Sequence, residues 1–216
     1  MGKTFSSVNE KRKVQIIDAK KFPAPLAKLN EALASHEFLD LMSYVFDIPH
    51  LLADEELWGG GMHQTGARGR LDVHVDFNYI EPRRLHRRLN ILIYFNKEWR
   101  KEWGGNIELW DKDVKVCHDS FAPILNRCVV FETSDISFHG VTPVTCPDNV
   151  SRKSFAAYYY TNEAPQRTSE SHSTIFRARP DEKLKGAVLM PAEKALRWTA
   201  DALRRGKKTL KHMLTE

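Results

Sequence analysis

The residues best suited to chemistry in this chain are two histidines and an aspartate, His74, Asp76 and His139. His74 and Asp76 are two positions apart, so on an extended strand their side chains point to the same face and both can reach one metal ion. A third ligand from a distant strand, His139, would complete a face of two histidines and one carboxylate and leave other coordination positions open. This arrangement is typical of mononuclear non-haem iron centres. The spacing alone fits an ordinary surface strand with two polar residues at least as well.

The composition is that of a soluble globular protein. The 216 residues suit one domain, 1–216, with a substantial core. No uninterrupted apolar run reaches the ~18 residues that a membrane-spanning helix needs. The net charge of +5 is spread along the chain, without the interleaved basic and aromatic residues of RNA-binding sheets, so we expect no nucleic-acid partner. Three cysteines without a CxxC pair argue against a disulfide framework and structural zinc, and they favour a reducing cytoplasm.

Alternating apolar residues identify the strands that must position the three candidate ligands. In segment 71–77, Val73 and Val75 share one face and the two ligand candidates share the other. Segment 89–95 is also a strand, because its odd positions are apolar. Further short strands follow at close spacing and are expected at 106–110, 114–117, 127–132, 137–144 and 152–161. Short strands separated by turns, with little helix, indicate an all-β barrel or jelly roll.

The flanking segments are expected to be helical or irregular. A short strand at 14–17 is followed by a helix that begins near Pro23 and by a second short helix over 37–45. Residues 162–190 are polar and are interpreted as a loop or extension. Residues 191–216 form a basic amphipathic pattern, which we expect to pack on the barrel rather than to contact a membrane or an acidic partner.

Two segments beside the 71–77 strand are interpreted as loops. The glycine-rich stretch 58–70 predicts a mobile loop, which is either a lid over the site or a plain connector. Segment 78–88 contains four arginines, which either bind an acidic substrate or, by default, face solvent. These arginines are Arg83, Arg84, Arg87 and Arg88.

A resemblance to a known family is carried by the stretch HVDFNYIEPRRLHRRLNILIYFNKEWRKEWGGNIELWD and by the later HGVTPV and RKSFAAYYYT. Their order resembles the iron(II)- and 2-oxoglutarate-dependent dioxygenases of the prolyl-hydroxylase type, and the likeness spans roughly residues 60–162. The resemblance implies a mainly β fold with flanking α-helices, namely a double-stranded β-helix (jelly roll) with helices packed on one side.

The resemblance also implies roles for individual residues. His74, Asp76 and His139 match the iron ligands. Arg152 matches the arginine that pairs with the distal carboxylate of 2-oxoglutarate, and Tyr94 matches the tyrosine that hydrogen-bonds the same carboxylate. A planar guanidinium suits this task because it can hold a carboxylate through two N–H groups. The implied cofactors are iron(II), 2-oxoglutarate as cosubstrate and dioxygen, with ascorbate as a candidate additional reductant.

The substrate is less clearly indicated. Gln64 stands ten residues before His74, where similar prolyl hydroxylases have a tyrosine, and either Gln64 or His63 could contact the proximal end of 2-oxoglutarate. Hydroxylation of a prolyl residue of a protein is the first expectation, and hydroxylation of a small-molecule, sugar or lipid precursor is the alternative. A non-catalytic jelly-roll binding module and a zinc hydrolase are further alternatives, although neither needs Arg152 and Tyr94 beside the ligands.

Overall fold

The computed structural model describes residues 2–7, 9–166 and 170–191. Within these ranges the strands belong to one sheet, and every strand pairing is antiparallel. The strands are β1 Lys3–Ser6, β2 Glu10–Ile16, β3 Leu52–Ala53, β4 Gly61–Val75, β5 Tyr79–Ile80, β6 Leu85–Tyr94, β7 Ile107–Trp110, β8 Cys117–Phe121, β9 Cys128–Glu132, β10 His139–Val141, β11 Ser151–Thr161 and β12 Ile175–Arg177. The helices are α1 Ala24–Leu33 and α2 His36–Phe46, with single 3-10 turns at Ala19–Lys21, Glu81–Arg83 and Lys101–Trp103 and a π-helical segment at Lys185–Leu189.

The sheet is organised around β4, its longest strand. Along its length β4 pairs with β2, β10, β11 and β12, and the strand order across it is β5-β6-β11-β4-β10-β7-β8. Strand β9 pairs with β6, and β3 pairs with β11. The fold is the double-stranded β-helix, mainly β with flanking helices, that the sequence predicted.

Both helices cover one face of the sheet. Leu33 of α1 and Met42 of α2 are buried in the same apolar cluster as Leu89 of β6 and Phe155 of β11. Helix α2 is capped by Ser35, whose hydroxyl accepts a backbone N–H of the first turn at 3.3 Å. The two helices predicted after Pro23 and over 37–45 are therefore confirmed, and the apolar odd positions of segment 89–95 prove to face them.

The prediction of a mobile loop over 58–70 is wrong, because β4 runs through most of that stretch. The glycines allow close backbone contact between β4 and its two neighbours. A side chain at Gly60 would place its Cβ 2.7 Å from the carbonyl oxygen of Ala156 in β11. Gly61 has φ +80° and lies directly against the carbonyl oxygen of Ile16 in β2. Glycine here marks a crowded strand rather than a loop.

Two other boundaries differ from the sequence-based expectation. Strand β6 begins at Leu85, so the last four residues of the predicted loop 78–88 belong to a strand. The strand predicted at 114–117 is mostly a turn around Asp111, whose carboxylate accepts two backbone N–H groups at 2.6 and 3.1 Å. The strand of this region, β8, begins only at Cys117.

The stretch 162–190 is more regular than a polar loop. Strand β12 pairs with the last residues of β4, opposite the side on which β10 lies, and the π-helical segment follows it. Lys185 of this segment donates to the carboxylate of Asp72, a residue with no exposed surface. We call residues 170–191 the C-terminal strap, because they lie against the strand that carries His74.

Most of the helix predicted at 191–216 lies outside the described residues. Within the ranges that are described, no helix has both the length and the apolar character required to cross a membrane. Cys117, Cys128 and Cys146 are free thiols.

Candidate active site

Strands β4 and β10 bring the three predicted metal ligands together. His139 is the first residue of β10 and pairs in register with His74, while Asp76 follows one residue beyond β4. Nε2 of His74 lies 3.5 Å from Oδ1 of Asp76, and Nε2 of His139 lies 3.3 Å from Oδ2. The ligand atoms of the three side chains all lie within 4.8 Å of one another, so one ion can contact all three.

The backbone orients both imidazole rings. Nδ1 of His74 bonds to the carbonyl oxygen of Asp72 at 2.8 Å, and Nδ1 of His139 bonds to that of Ser137 at 2.9 Å. A carbonyl only accepts, so each Nδ1 carries the proton and each Nε2 keeps its lone pair for a metal. Burial, with a smaller contribution from His74, lowers the pKa of His139 and favours the neutral form that binds metals. Two imidazole Nε2 atoms and one carboxylate fit iron(II).

Two more side chains hold the carboxylate of Asp76. Arg87 Nη2 and Asn90 Nδ2 both donate to Oδ2, each at 2.9 Å. Burial on its own would raise the pKa of Asp76, but the neighbouring groups, foremost the charge of Arg87, outweigh it and hold that pKa well below its usual range. The carboxylate is therefore ionised, as a metal ligand must be.

Arg152 and Tyr94 lie side by side on the adjacent strands β11 and β6. The guanidinium carbon of Arg152 is 4.9 Å from the centre of the Tyr94 ring. Arg152 is only 4% exposed, and it donates from Nε to the Gly105 carbonyl at 2.7 Å and from Nη1 to the Ser154 hydroxyl at 3.3 Å. These two bonds leave three of its five N–H groups. The buried Tyr94 hydroxyl has no hydrogen-bond partner among the described residues. A carboxylate would satisfy both groups, so the pair fits 2-oxoglutarate.

A single cavity joins the three candidate ligands to Arg152. Its wall is mixed, and the apolar side chains in it favour exclusion of water, which strengthens the electrostatic contacts inside. The apolar lining residues are Leu71, Leu92, Ile107, Phe131 and Val141.

The structure separates the two residues considered for the proximal end of 2-oxoglutarate. His63 lines the cavity, whereas Gln64 is exposed and donates to the Ser151 hydroxyl at 2.9 Å. Burial, reinforced by the charges of Lys13 and Arg152, lowers the pKa of His63 well below its ordinary value. His63 is therefore neutral at pH 7 and available as a hydrogen-bonding group inside the cavity.

Sequence reasoning missed Arg87 and Asn90. The default interpretation of the arginines as solvent-facing is wrong for Arg87, which is 3% exposed and pairs with Asp76. The cause is a β-bulge: the pairing of β6 with β11 shifts register so that Arg88 has no partner. One extra residue reverses the alternation of side chains, and Arg87 turns to the face that carries Asn90. Asn90 had a visible signal, since it shares a predicted strand face with Tyr94.

Comparison with known proteins relates this site to one family. Residues 60–160, a little under half of the chain, match the family model described as the 2OG-Fe(II) oxygenase superfamily. Members of that superfamily use iron(II), 2-oxoglutarate and dioxygen. The side chains of residues 60–160, which we call the oxygenase core, fit iron(II) and 2-oxoglutarate.

Relatives of the oxygenase core include prolyl hydroxylases. Over 78 residues the chain is 33% identical to Prolyl 3-hydroxylase OGFOD1 of Mus musculus, a match that covers 34% of this chain and 14% of that protein. The chain thus spans a small part of this curated relative. A prolyl hydroxylase of Trichoplax adhaerens, solved in complex with a hypoxia inducible factor oxygen degradation domain peptide, superposes with a TM-score of 0.52 at 18% identity, over 72% of this chain and 66% of that one. A Pseudomonas putida prolyl-4-hydroxylase gives 0.50 at 16% identity, over 76% and 78%. The two structures share the fold of the oxygenase core.

Proposed function

We propose that the chain is a 2-oxoglutarate- and iron(II)-dependent dioxygenase that hydroxylates an unactivated C–H bond. The observation that carries the proposal is the single cavity lined by His74, Asp76, His139 and Arg152 together. A zinc hydrolase would need the three ligands but not a buried arginine with N–H groups left for a carboxylate. A binding module would need neither.

In this mechanism each side chain has a separate task. His74, Asp76 and His139 would hold iron(II), which when bound supplies open coordination positions and the oxidising chemistry that breaks a C–H bond. Arg152 and Tyr94 bind the distal carboxylate of 2-oxoglutarate and so fix the orientation of its 2-oxo acid end. The apolar side chains of the cavity wall help to keep water away from the reacting groups.

The first substrate to test is a prolyl residue of a protein. The identity to the mouse prolyl 3-hydroxylase over 78 residues supports this choice. A small-molecule, sugar or lipid precursor is the alternative, because Gln64, which stands where similar prolyl hydroxylases have a tyrosine, is exposed, and His63 beside it lines the cavity instead. The free thiols support a reducing cytoplasm as the proposed location.

The chemistry is tested by anaerobic titration of iron(II) and 2-oxoglutarate into metal-free protein. The readout is the visible charge-transfer band of iron(II) chelated by a 2-oxo acid. We expect the band in the wild type, its loss in His74→Ala and Arg152→Ala, and its retention in His118→Ala and Lys153→Ala, which alter exposed side chains. Iron binding without the band would overturn the dioxygenase assignment in favour of the hydrolase. An absence of metal binding would favour the binding module.

The substrate class is tested separately by mass spectrometry of proline-containing peptides incubated with the iron-loaded protein. We expect a peptide to gain one oxygen atom while 2-oxoglutarate is converted to succinate, and a matched peptide with alanine in place of proline to stay unmodified. Succinate formation stimulated by a small molecule, with no peptide modified, would replace the prolyl proposal by the alternative.

A further inference from the structure

The carboxylate of Asp76 is held unequally at its two oxygens. Oδ2 accepts hydrogen bonds from Arg87 Nη2 and Asn90 Nδ2, both at 2.9 Å. Oδ1 accepts no hydrogen bond from these two residues. Each oxygen has one imidazole nitrogen nearby, His74 Nε2 at 3.5 Å from Oδ1 and His139 Nε2 at 3.3 Å from Oδ2, so the difference between the oxygens lies in the two donors. The two donors therefore distinguish the oxygens before any metal is present.

The two donors are also bound to each other. Arg87 donates to Oδ1 of Asn90 from both Nε, at 3.0 Å, and Nη2, at 2.8 Å. Asn90 in turn donates to Asp76, so three side chains form a closed ring of hydrogen bonds. Arg87 and Asn90 are each 3% exposed, and in such a buried environment a connected network of hydrogen bonds favours one arrangement.

Aromatic rings fix the plane of the Arg87 guanidinium. Its central carbon lies 3.6 Å from the centre of the Tyr158 ring and 4.7 Å from that of Phe77. Cation–π contacts of this kind are stronger where water is excluded, and they leave the guanidinium edge free to donate. The N–H groups are thereby directed at Asp76 and Asn90.

We propose that Arg87 and Asn90 are positioning residues that hold Oδ2 of Asp76 and so reserve Oδ1 for the metal. The inference rests on the proposed function, because it assumes that Asp76 is a metal ligand. A lysine cannot replace Arg87, because a single ammonium on a flexible stem does not match the two acceptors that the planar guanidinium contacts together. Side chains that hold a metal ligand in this way commonly change metal affinity by about 10–100-fold when they are removed.

The test is a cobalt(II) titration, which reports both affinity and ligand geometry through the visible spectrum of the metal. In Arg87→Gln and Arg87→Lys we expect affinity to fall by about 10-fold or more, together with an altered spectrum. Asn90→Ala, which keeps the arginine, should show a smaller change in the same direction. The matched control is Arg84→Gln, since Arg84 is an exposed arginine in the turn before the same strand. It should behave like the wild type.

Chemical rescue separates positioning from a general effect on folding. Arg87→Ala should leave a slot between the rings of Phe77 and Tyr158, and guanidinium ion at concentrations too low to denature should restore part of the cobalt affinity. Sodium ion at equal concentration should not. Thermal melts of every metal-free variant record whether the fold is retained.

The outcomes distinguish the inference from the function on which it rests. The positioning role alone would be overturned by the following result: the wild type binds cobalt, and the folded Arg87→Gln and Asn90→Ala variants bind it with an affinity changed by less than about 3-fold and with unchanged spectra. Failure of the wild type to bind cobalt would overturn the proposed function and the inference together. If Arg87 variants do not fold, the Asn90→Ala affinity and spectrum decide the matter, since that variant retains the ion pair to Asp76.

Discussion

Replacing Arg152 with leucine should weaken 2-oxoglutarate binding without destabilising the metal-free protein. Arg152 is buried, and among the described residues no carboxylate lies within ion-pair distance of it. A bidentate carboxylate would add two charge-assisted hydrogen bonds of about 1.5–3 kcal/mol each, and losing both amounts to about 10²–10⁴-fold in affinity. Burial lowers the pKa of Arg152, and Tyr94 offsets this only in part. A lowered arginine pKa indicates a buried charge that lacks a counter-ion. Removing this uncompensated charge therefore offsets the loss of its hydrogen bonds to Gly105 and Ser154, so the net cost to the unliganded fold is small.

Anaerobic titration of 2-oxoglutarate into iron-loaded protein measures the affinity, and urea unfolding of metal-free protein measures the stability. Tyr94→Phe removes one donor, so its affinity should fall by about 10–150-fold, the equivalent of one hydrogen bond to a charged group. Lys153→Leu, on the exposed side of the same strand, is the control for Arg152→Leu. A folded Arg152→Leu protein that binds 2-oxoglutarate as tightly as the wild type would refute the reasoning. So would a large loss of stability in the absence of ligand.

Three further predictions concern stability. Burial lowers the pKa of His63, so the unfolded chain binds a proton at this residue more readily than the folded chain does. The stability of the wild type should therefore fall as the pH decreases below about 6.5, and thermal melts should show a smaller fall for His63→Gln. Phe155 has no exposed surface and packs edge-to-face on Phe22 at 5.7 Å, so Phe155→Ala should lower the free energy of unfolding by about 3–5 kcal/mol in urea titrations. Lys185→Met should lower the free energy of unfolding by about 1–3 kcal/mol, because it removes a donor from the buried carboxylate of Asp72. Adding Asp72→Asn to that variant should recover part of the loss, as a double-mutant cycle would measure.

The sequence predicted those elements whose side chains obey a regular period. In the part of β6 from Leu89 to Tyr94 the alternation is regular. Leu89 and Ile91 belong to the apolar cluster that contains the helices, while Leu92 and Tyr94 belong to a different cluster with Ile107 and Phe131. The same rule placed His74 and its partner aspartate on one face. The role of His139 as the third ligand rested on the family resemblance, since nothing in local spacing could show that β10 pairs with β4.

Features that depend on contacts between distant strands were not predictable. Composition at Gly60 and Gly61 indicates a loop, but the backbone atoms that demand glycine there belong to strands far away in sequence. The bulge at Arg88 inverts the face of Arg87, and no residue type in that run of arginines reveals where an alternation is interrupted. A run of charged residues usually faces solvent, so the sequence does not distinguish one buried arginine from the exposed arginines beside it.

The C-terminal strap shows why the segment that matches the superfamily does not by itself position its ligands. The match ends at residue 160, yet the Phe176 ring lies 5.3 Å from the ring of His74. Arg179 donates to Glu108 at 2.8 Å and packs against Gly140, the residue after His139, so closely that an added Cβ would lie 3.1 Å from its guanidinium. Side chains outside the matched segment therefore pack against His74 and against the residue that follows His139. Because interiors are close-packed, the ligand geometry depends on this strap as well as on the strands that carry the ligands. The oxygenase core supplies the candidate ligands, and their positions depend on the packing of the C-terminal strap against that core.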